Sequence, residues 1–213
     1  MLTINEIFLS IQGESTFAGR PCLFVRLTAC DLRCSWCDTP HAFYEGRRMT
    51  LGDVLAEVDR FGCSLVEITG GEPLLQEEVY PLMDALVERG STVLLETGGH
   101  RDASGVNPCV HRILDVKCPG SGESDRNWWS NLDRLRSIDE VKFVILDRAD
   151  YEWARAVVVE RGLERLCGAV LFSPVHGVLD LKALAEWVLA DRLPVRVQVQ
   201  LHKYIWGADA RGV

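Results

Sequence analysis

Seven short runs of aliphatic and β-branched residues recur along the chain, near 22–28 (CLFVRLT), 64–69 (SLVEIT), 92–96 (TVLLE), 112–116 (RILDV), 140–146 (EVKFVIL), 168–172 (GAVLF) and 195–200 (VRVQVQ). Each has the length of a strand, and several are apolar on both faces, as strands covered by helices must be. Between them lie stretches with a helical apolar period. Thr50 and Asp53 resemble a capping box ahead of a helix that aligns Leu51, Val54, Leu55, Val58 and Phe61 on one face. A second helix is predicted from about 74 to 89, with Leu75, Val79, Leu82, Met83 and Leu86 inward and Gly90 as its stop. Further helices fit 128–137, 151–161 and 180–190.

Strands alternating with helices predict an α/β fold with a parallel sheet. The stretch GGHRDASGVNPCVH after the third run has no helical period and is rich in Gly, Pro, Asn and Asp, so the crossover there is expected to be reduced. A closed eight-stranded βα barrel takes about 250 residues. Six or seven mostly parallel strands in 213 residues therefore predict an open, partial βα barrel, with trimmed helices and a single domain over 1–213.

Composition narrows the function. With 47% hydrophobic and 25% charged residues the chain has the make-up of a folded domain, and its net charge of -8 argues against sequence-independent capture of nucleic acid. The opening MLTINEIFLSIQGES lacks a positive n-region, and its apolar run is too short and polar for a signal peptide or membrane span. A cytoplasmic protein acting on a small molecule or protein partner, with no nucleic acid and no membrane, is the expectation.

In such a compartment the eight cysteines stay reduced, and five of them (Cys22, Cys63, Cys109, Cys118, Cys167) need no explanation beyond packing. Cys30, Cys34 and Cys37 differ. They form C-x3-C-x2-C on the loop after the first run, at the strand end where barrel active sites sit. A structural zinc site needs four protein ligands, for which His41 is a candidate. An iron-sulfur cubane normally takes four thiolates, and three leave one iron open to bind something else. Both readings stand on spacing alone.

C-x3-C-x2-C with Trp36 before its last cysteine resembles the signature of radical S-adenosylmethionine enzymes. In that family a 4Fe-4S cluster holds S-adenosylmethionine at its open iron, and reductive cleavage gives a 5'-deoxyadenosyl radical. ITGGEP at 68–73 resembles the family's GGEP motif, whose backbone contacts the methionyl amino group, a role that falls to Gly70, Gly71 and Glu72. The resemblance also implies cofactor contacts for Glu96, with Thr97, at the third run's end, for Asp115, Val116 and Lys117, with Ser121, after the fourth, and for Ser173, which stands where the family often has Gln before Pro174.

FLSIQGEST at 8–16, FVRLTACDLRCSWCDT and RVQVQLHKYIWG at 196–207 together resemble the 7-carboxy-7-deazaguanine synthase family, over nearly the whole chain. That likeness implies a lyase converting 6-carboxy-5,6,7,8-tetrahydropterin to 7-carboxy-7-deazaguanine with loss of ammonia, in queuosine or related 7-deazapurine biosynthesis. It implies substrate contacts at Ile11, Gln12, Gly13, Arg26, Thr69 and, in a second tier, His202 with Lys203. It further implies Mg2+ on Thr39, a flavodoxin-like electron donor and a homodimer. The planar fork of Arg26 suits a carboxylate, and a threonine hydroxyl is a hard ligand of the kind Mg2+ accepts. Two alternatives remain at this point: an activating enzyme that takes hydrogen from a glycine of a partner protein, and a zinc-stabilised binding module on Cys30, Cys34, Cys37 and His41.

Overall fold

The computed structural model describes residues 1–213 and places nine strands in one sheet. In chain order the elements are β1 (Leu2–Ile11), β2 (Pro21–Leu27), β3 (Arg47–Met49), α1 (Leu51–Phe61), β4 (Leu65–Gly70), α2 (Val79–Glu88), β5 (Thr92–Thr97), β6 (His111–Asp115), β7 (Glu140–Ile145), α3 (Arg148–Arg161), β8 (Ala169–Pro174), α4 (Leu181–Asp191), β9 (Arg196–Val197) and α5 (Leu201–Trp206). The spatial order is β3-β1-β2-β4-β5-β6-β7-β8-β9, with every pair from β2 to β9 parallel and β1 antiparallel to both of its neighbours. Edge strands β3 and β9 do not meet, so the sheet is an open partial barrel as predicted. No helix is long and apolar enough to cross a membrane.

All seven predicted runs are the seven parallel strands, but the count of six or seven is too low because β1 and β3 were not expected. A bulge between Ile4 and Glu6 explains why β1 is hard to see. Leu2 and Ile4 face the core, and after the extra residue it is Ile7 that packs there while Glu6 and Phe8 line the opposite side. The switch of parity hides the strand's period.

Two helix expectations are corrected. The second helix starts at Val79, and Pro73–Leu75 form a separate 3-10 turn. Pro81 accounts for this: a helix begun at 74 would bury it in the interior, where it removes a hydrogen bond and clashes with the turn before, whereas from Val79 it falls in the first turn. The helix expected over 128–137 is a 3-10 turn over Trp129–Arg134. There the Asn131 amide is spent on other backbone, accepting from Ala103 N (3.0 Å) and donating to Gly99 O (3.2 Å) and Arg101 O (2.8 Å). The last strand is shorter than predicted, because 198–200 already turn toward α5.

The strands alternate as a two-sided sheet requires. Val66 and Ile68, Val93 and Leu95, Val141 and Phe143, Val170 and Phe172 face the helices in the main core. On the opposite side Cys22, Leu65, Leu94 and Ile113 form a small apolar plug. Farther along that face stand Arg26, Glu67, Thr69, Glu96, Asp115 and Lys142, which line a cleft of about 800 Å³.

Candidate active site

The cysteine loop leaves β2 through Ala29, held at φ 80, a left-handed conformation costly for a residue with a Cβ. The loop is then fixed from outside: Ser35 N donates to Ser121 O (3.0 Å), Ser35 Oγ to Gly120 O (2.8 Å), and Arg33 N to Glu123 Oε1 (2.6 Å). Asp31, inside the motif, meets His100 Nε2 at 2.6 Å and Arg126 at 3.1 Å. Cys30, Cys34 and Cys37 come out half-buried, unpaired and lining one cleft.

The GGEP glycines serve this loop. A Cβ on Gly70 would lie 2.5 Å from Leu27 O, and one on Gly71 2.2 Å from Ala29 O. Neither glycine has a positive φ. They are needed because two backbones touch. Glu72 N then donates to Ala29 O (2.8 Å), and the fully buried Glu72 carboxylate accepts from Thr97 Oγ1 (2.8 Å), Gly98 N (2.8 Å) and Leu74 N (2.9 Å). Its side chain is a brace between β4 and β5, which leaves backbone as the part facing a ligand.

These residues fit an iron-sulfur cluster. Burial pushes the Cys34 thiol up to about 11 and raises that of Cys30, so a strongly positive centre is what would draw thiolates from them. No three His, Cys, Asp or Glu side chains converge on one point as a single ion requires, and His41 lies instead 3.6 Å from Glu6. A cubane spreads its three thiolates over three irons and needs no such convergence. Beside the cysteines, Asp115 and Lys117 pair at 3.0 Å, and Asp115 Oδ1 is buried without a partner, an acceptor waiting for a donor.

The far side of the cleft is a network of charges. Lys142 Nζ, buried in the middle of β7, donates to Glu14 Oε2 (2.9 Å) and to Glu96, and lies 3.6 Å from Asp115. Burial alone would lower its pKa, but the three carboxylates outweigh that and hold it well above the usual lysine range. Burial pushes the Glu14 carboxyl up, yet Lys142 and the Gln200 amide reverse this and keep it below its ordinary value. Gln200 Nε2 bridges Glu14 Oε1 (3.0 Å) and Asp38 (3.2 Å), and Lys203 Nζ reaches Asp38 at 2.6 Å. With Leu201 N donating to Gly13 O (2.8 Å), the C-terminal helix is tied over the β1–β2 turn.

The structure brings most of the predicted residues to this cleft: Ile11, Gln12, Gly13, Arg26, Thr39, Thr69, Gly70, Gly71, Glu72, Glu96, Asp115, Lys117 and His202 all line it with the three cysteines. Arg26 Nε is taken by Glu6 (2.8 Å), leaving both terminal guanidinium nitrogens without a protein acceptor. Thr39 precedes a 3-10 turn but makes no side-chain cap bond, so its hydroxyl is free. The His202 ring packs on Gly13, where a Cβ would fall 2.1 Å from Nδ1.

Val116 and Ser173 lie apart from the cleft lining. Val116 is buried in the main core, and Ser173 Oγ accepts from Gln198 Nε2 (3.0 Å). Glu14, Glu67 and Lys142, which line the cleft, and His100, which braces Asp31 behind it, are left out of the sequence reading. Glu67 and Lys142 carry a signal, a charge inside an otherwise apolar strand (SLVEIT and EVKFVIL), since a charge is kept there only when its partners come with it, whereas Glu14 and His100 stand in loops and carry none of this kind.

Comparison with known proteins agrees with this geometry. Residues 25–114 match the model of the radical SAM superfamily. The 7-carboxy-7-deazaguanine synthase of Koribacter versatilis is 49% identical over the whole of both chains, and that of Chlorobaculum tepidum is 48% identical over all of this chain and 97% of the other. The crystal structure of QueE from Escherichia coli superposes with a TM-score of 0.78 at 24% identity, covering 94% of each chain.

Proposed function

We propose, since the chain belongs to the 7-carboxy-7-deazaguanine synthase family of radical S-adenosylmethionine enzymes, that its cleft converts 6-carboxy-5,6,7,8-tetrahydropterin to 7-carboxy-7-deazaguanine with loss of ammonia. The observation that carries this reading is the meeting, in one cleft, of three unpaired cysteines with an arginine whose two terminal guanidinium nitrogens have no protein acceptor. The family uses a 4Fe-4S cluster and S-adenosylmethionine and also binds Mg2+; bound here, the cluster and S-adenosylmethionine would supply the radical that takes a hydrogen atom from the pterin, and Mg2+ a positive charge for its carboxylate.

The chain's own residues bind, orient and shield. Cys30, Cys34 and Cys37 hold the cluster, and backbone at Gly70, Gly71 and Glu72 meets the methionyl end of the cofactor. Glu96, Asp115 and Lys117 present polar groups to its sugar and carboxylate. Arg26 grips the pterin carboxylate in a two-pronged contact, and the Thr39 hydroxyl offers Mg2+ a hard oxygen beside it. Ile11, Gly13, Thr69 and His202 close around the ring. Gln12 acts from below, because its backbone and amide are already bonded within its own turn and to Glu67. The strapped C-terminal helix limits the access of water to the reacting centre.

The substrate is a small molecule. A flavodoxin-like protein as electron donor and a homodimer complete the reading. To test it, the anaerobically reconstituted, reduced chain is incubated with S-adenosylmethionine, Mg2+ and carboxytetrahydropterin, and the deazaguanine is followed. Product is expected from the wild type without any partner polypeptide, none from Cys34→Ala, and a shifted Mg2+ dependence from Thr39→Ala. Stoichiometric zinc without iron, or an active Cys34→Ala chain, would overturn it.

A further inference from the structure

One carboxyl group in the cleft is set unlike the others. Glu67 lies in the middle of β4, 2% exposed, two residues along the same face from Leu65 of the apolar plug. Its Oε2 accepts from Gln12 Nε2 at 2.5 Å, while Oε1 has no protein partner and opens on the cleft. Glu14, Glu96 and Asp115 each touch the Lys142 ammonium, and Glu67 is paired with no cation.

The groups that face it are unfriendly to a second negative charge. Glu96 looks on from β5, Glu14 from the β1–β2 turn and the Cys22 thiol from β2, and Lys142 on β7 is committed to other carboxylates. Burial, with Glu96 beside it, holds the Glu67 carboxyl well above the usual range, and the Gln12 and Lys142 contributions do not reverse this. A neutral carboxyl whose one oxygen already accepts from an amide has a single O–H left to give. Gln12 thereby fixes which oxygen carries the proton.

We propose that Glu67 is a specificity-determining residue, donating a hydrogen bond through Oε1 to the ring carbonyl of the pterin. This rests on the functional reading above and extends it. The pyrimidine edge of a pterin carries a carbonyl acceptor beside N–H donors. The cleft answers with a neutral donor at Glu67 and an acceptor carboxylate at Glu14, kept charged by Lys142. A ring with an amino group in place of the carbonyl turns a donor toward a donor and is rejected.

The test uses the reconstituted holoprotein with S-adenosylmethionine and Mg2+ and measures binding of two inert probes, 6-carboxypterin and 2,4-diaminopteridine-6-carboxylate. The wild type is expected to favour the 4-oxo probe by about tenfold or more, the scale of one hydrogen bond lost and one repulsion gained. Glu67→Gln keeps both an acceptor for Gln12 and a donor for the ring, so binding and preference are expected within about threefold of wild type. Glu67→Met is expected to lose the preference. A Glu67→Gln chain that loses the 4-oxo probe by tenfold overturns the inference, because the group would then be a charged acceptor. So does a Glu67→Met chain weakened equally toward both probes, which would mark a structural role. Should Glu67→Met not fold, the Glu67→Gln result decides by the same criterion. A wild-type chain that binds neither probe and yields no deazaguanine fails the functional reading and takes this inference with it; one that yields deazaguanine yet shows no preference overturns this inference alone.

Discussion

The two walls of the cleft are built on different principles. On the wall proposed for the cofactor backbone presses on backbone: Gly70 and Gly71 lie against Leu27 and Ala29, and Glu72 is bound by Thr97, Gly98 and Leu74. On the wall proposed for the substrate charge answers charge, with Lys142 pairing with Glu14, 128 residues away, and Gln200 reaching the same Glu14 across 186 residues. A wall made by close approach has no room for an added atom. A wall made by buried charges has room but must stay balanced.

The contrast is broken most strongly at Lys142. Lys142→Met strands Glu14 and Glu96 in the interior, and a loss of about 3 kcal/mol or more is expected in denaturant unfolding. The double variant Lys142→Met/Glu14→Gln is expected to recover part of it, because the balance and not the lysine itself is what the wall needs. Gly71→Ala follows: its Cβ would sit 2.2 Å from Ala29 O and 2.9 Å from Cys30 Cβ. Backbone must move, costing about 2 kcal/mol, and iron content and S-adenosylmethionine affinity are expected to fall with it. No second substitution on a side chain should rescue that variant, and one that did would erase the distinction between the walls.

Gly13→Ala sharpens the comparison from the other side. Here the obstructing atoms include the His202 ring, 2.1 Å from the new Cβ, and a side chain can swing away. About 1 kcal/mol or less of stability is expected to go, with the main effect on pterin affinity. The smallest effect is a slope. The Glu14 carboxyl lies below its ordinary 4.5 in the folded chain, so its pairing contributes stability above pH 4.5 and loses it as pH falls through the folded-state value. Acid unfolding of Glu14→Gln is expected to be shallower than that of the wild type in this window, while cluster retention at a given folded fraction is unchanged.

These differences also divide what could be read before the fold was known. All seven parallel strands were legible, because short β-branched runs of strand length recur between stretches of helical period. The α1 capping box was legible as well, and Thr50 and Asp53 do bond reciprocally. β1 was not, since its bulge turns the apolar period over in mid-strand. The segment 128–137 has a helical period but no helix, because Asn131 finds better partners in the 99–103 loop than in its own segment.

By itself the sequence determined the seven parallel strands of the sheet and the two motifs that meet in the cleft, C-x3-C-x2-C and GGEP, since each acts through residues a few positions apart, and local spacing is what a chain carries without folding. Only the tertiary structure decided how the buried charges of the opposite wall are balanced. Lys142, Glu67, Glu14 and Gln200 mean nothing singly, and their polar groups can be buried only where the curved sheet and the return of the C-terminal helix bring an opposite charge or an amide partner within about 3 Å. It also decided what the GGEP glycines are for: they make way for the backbone of the cysteine loop, a neighbour that no spacing along the chain reveals.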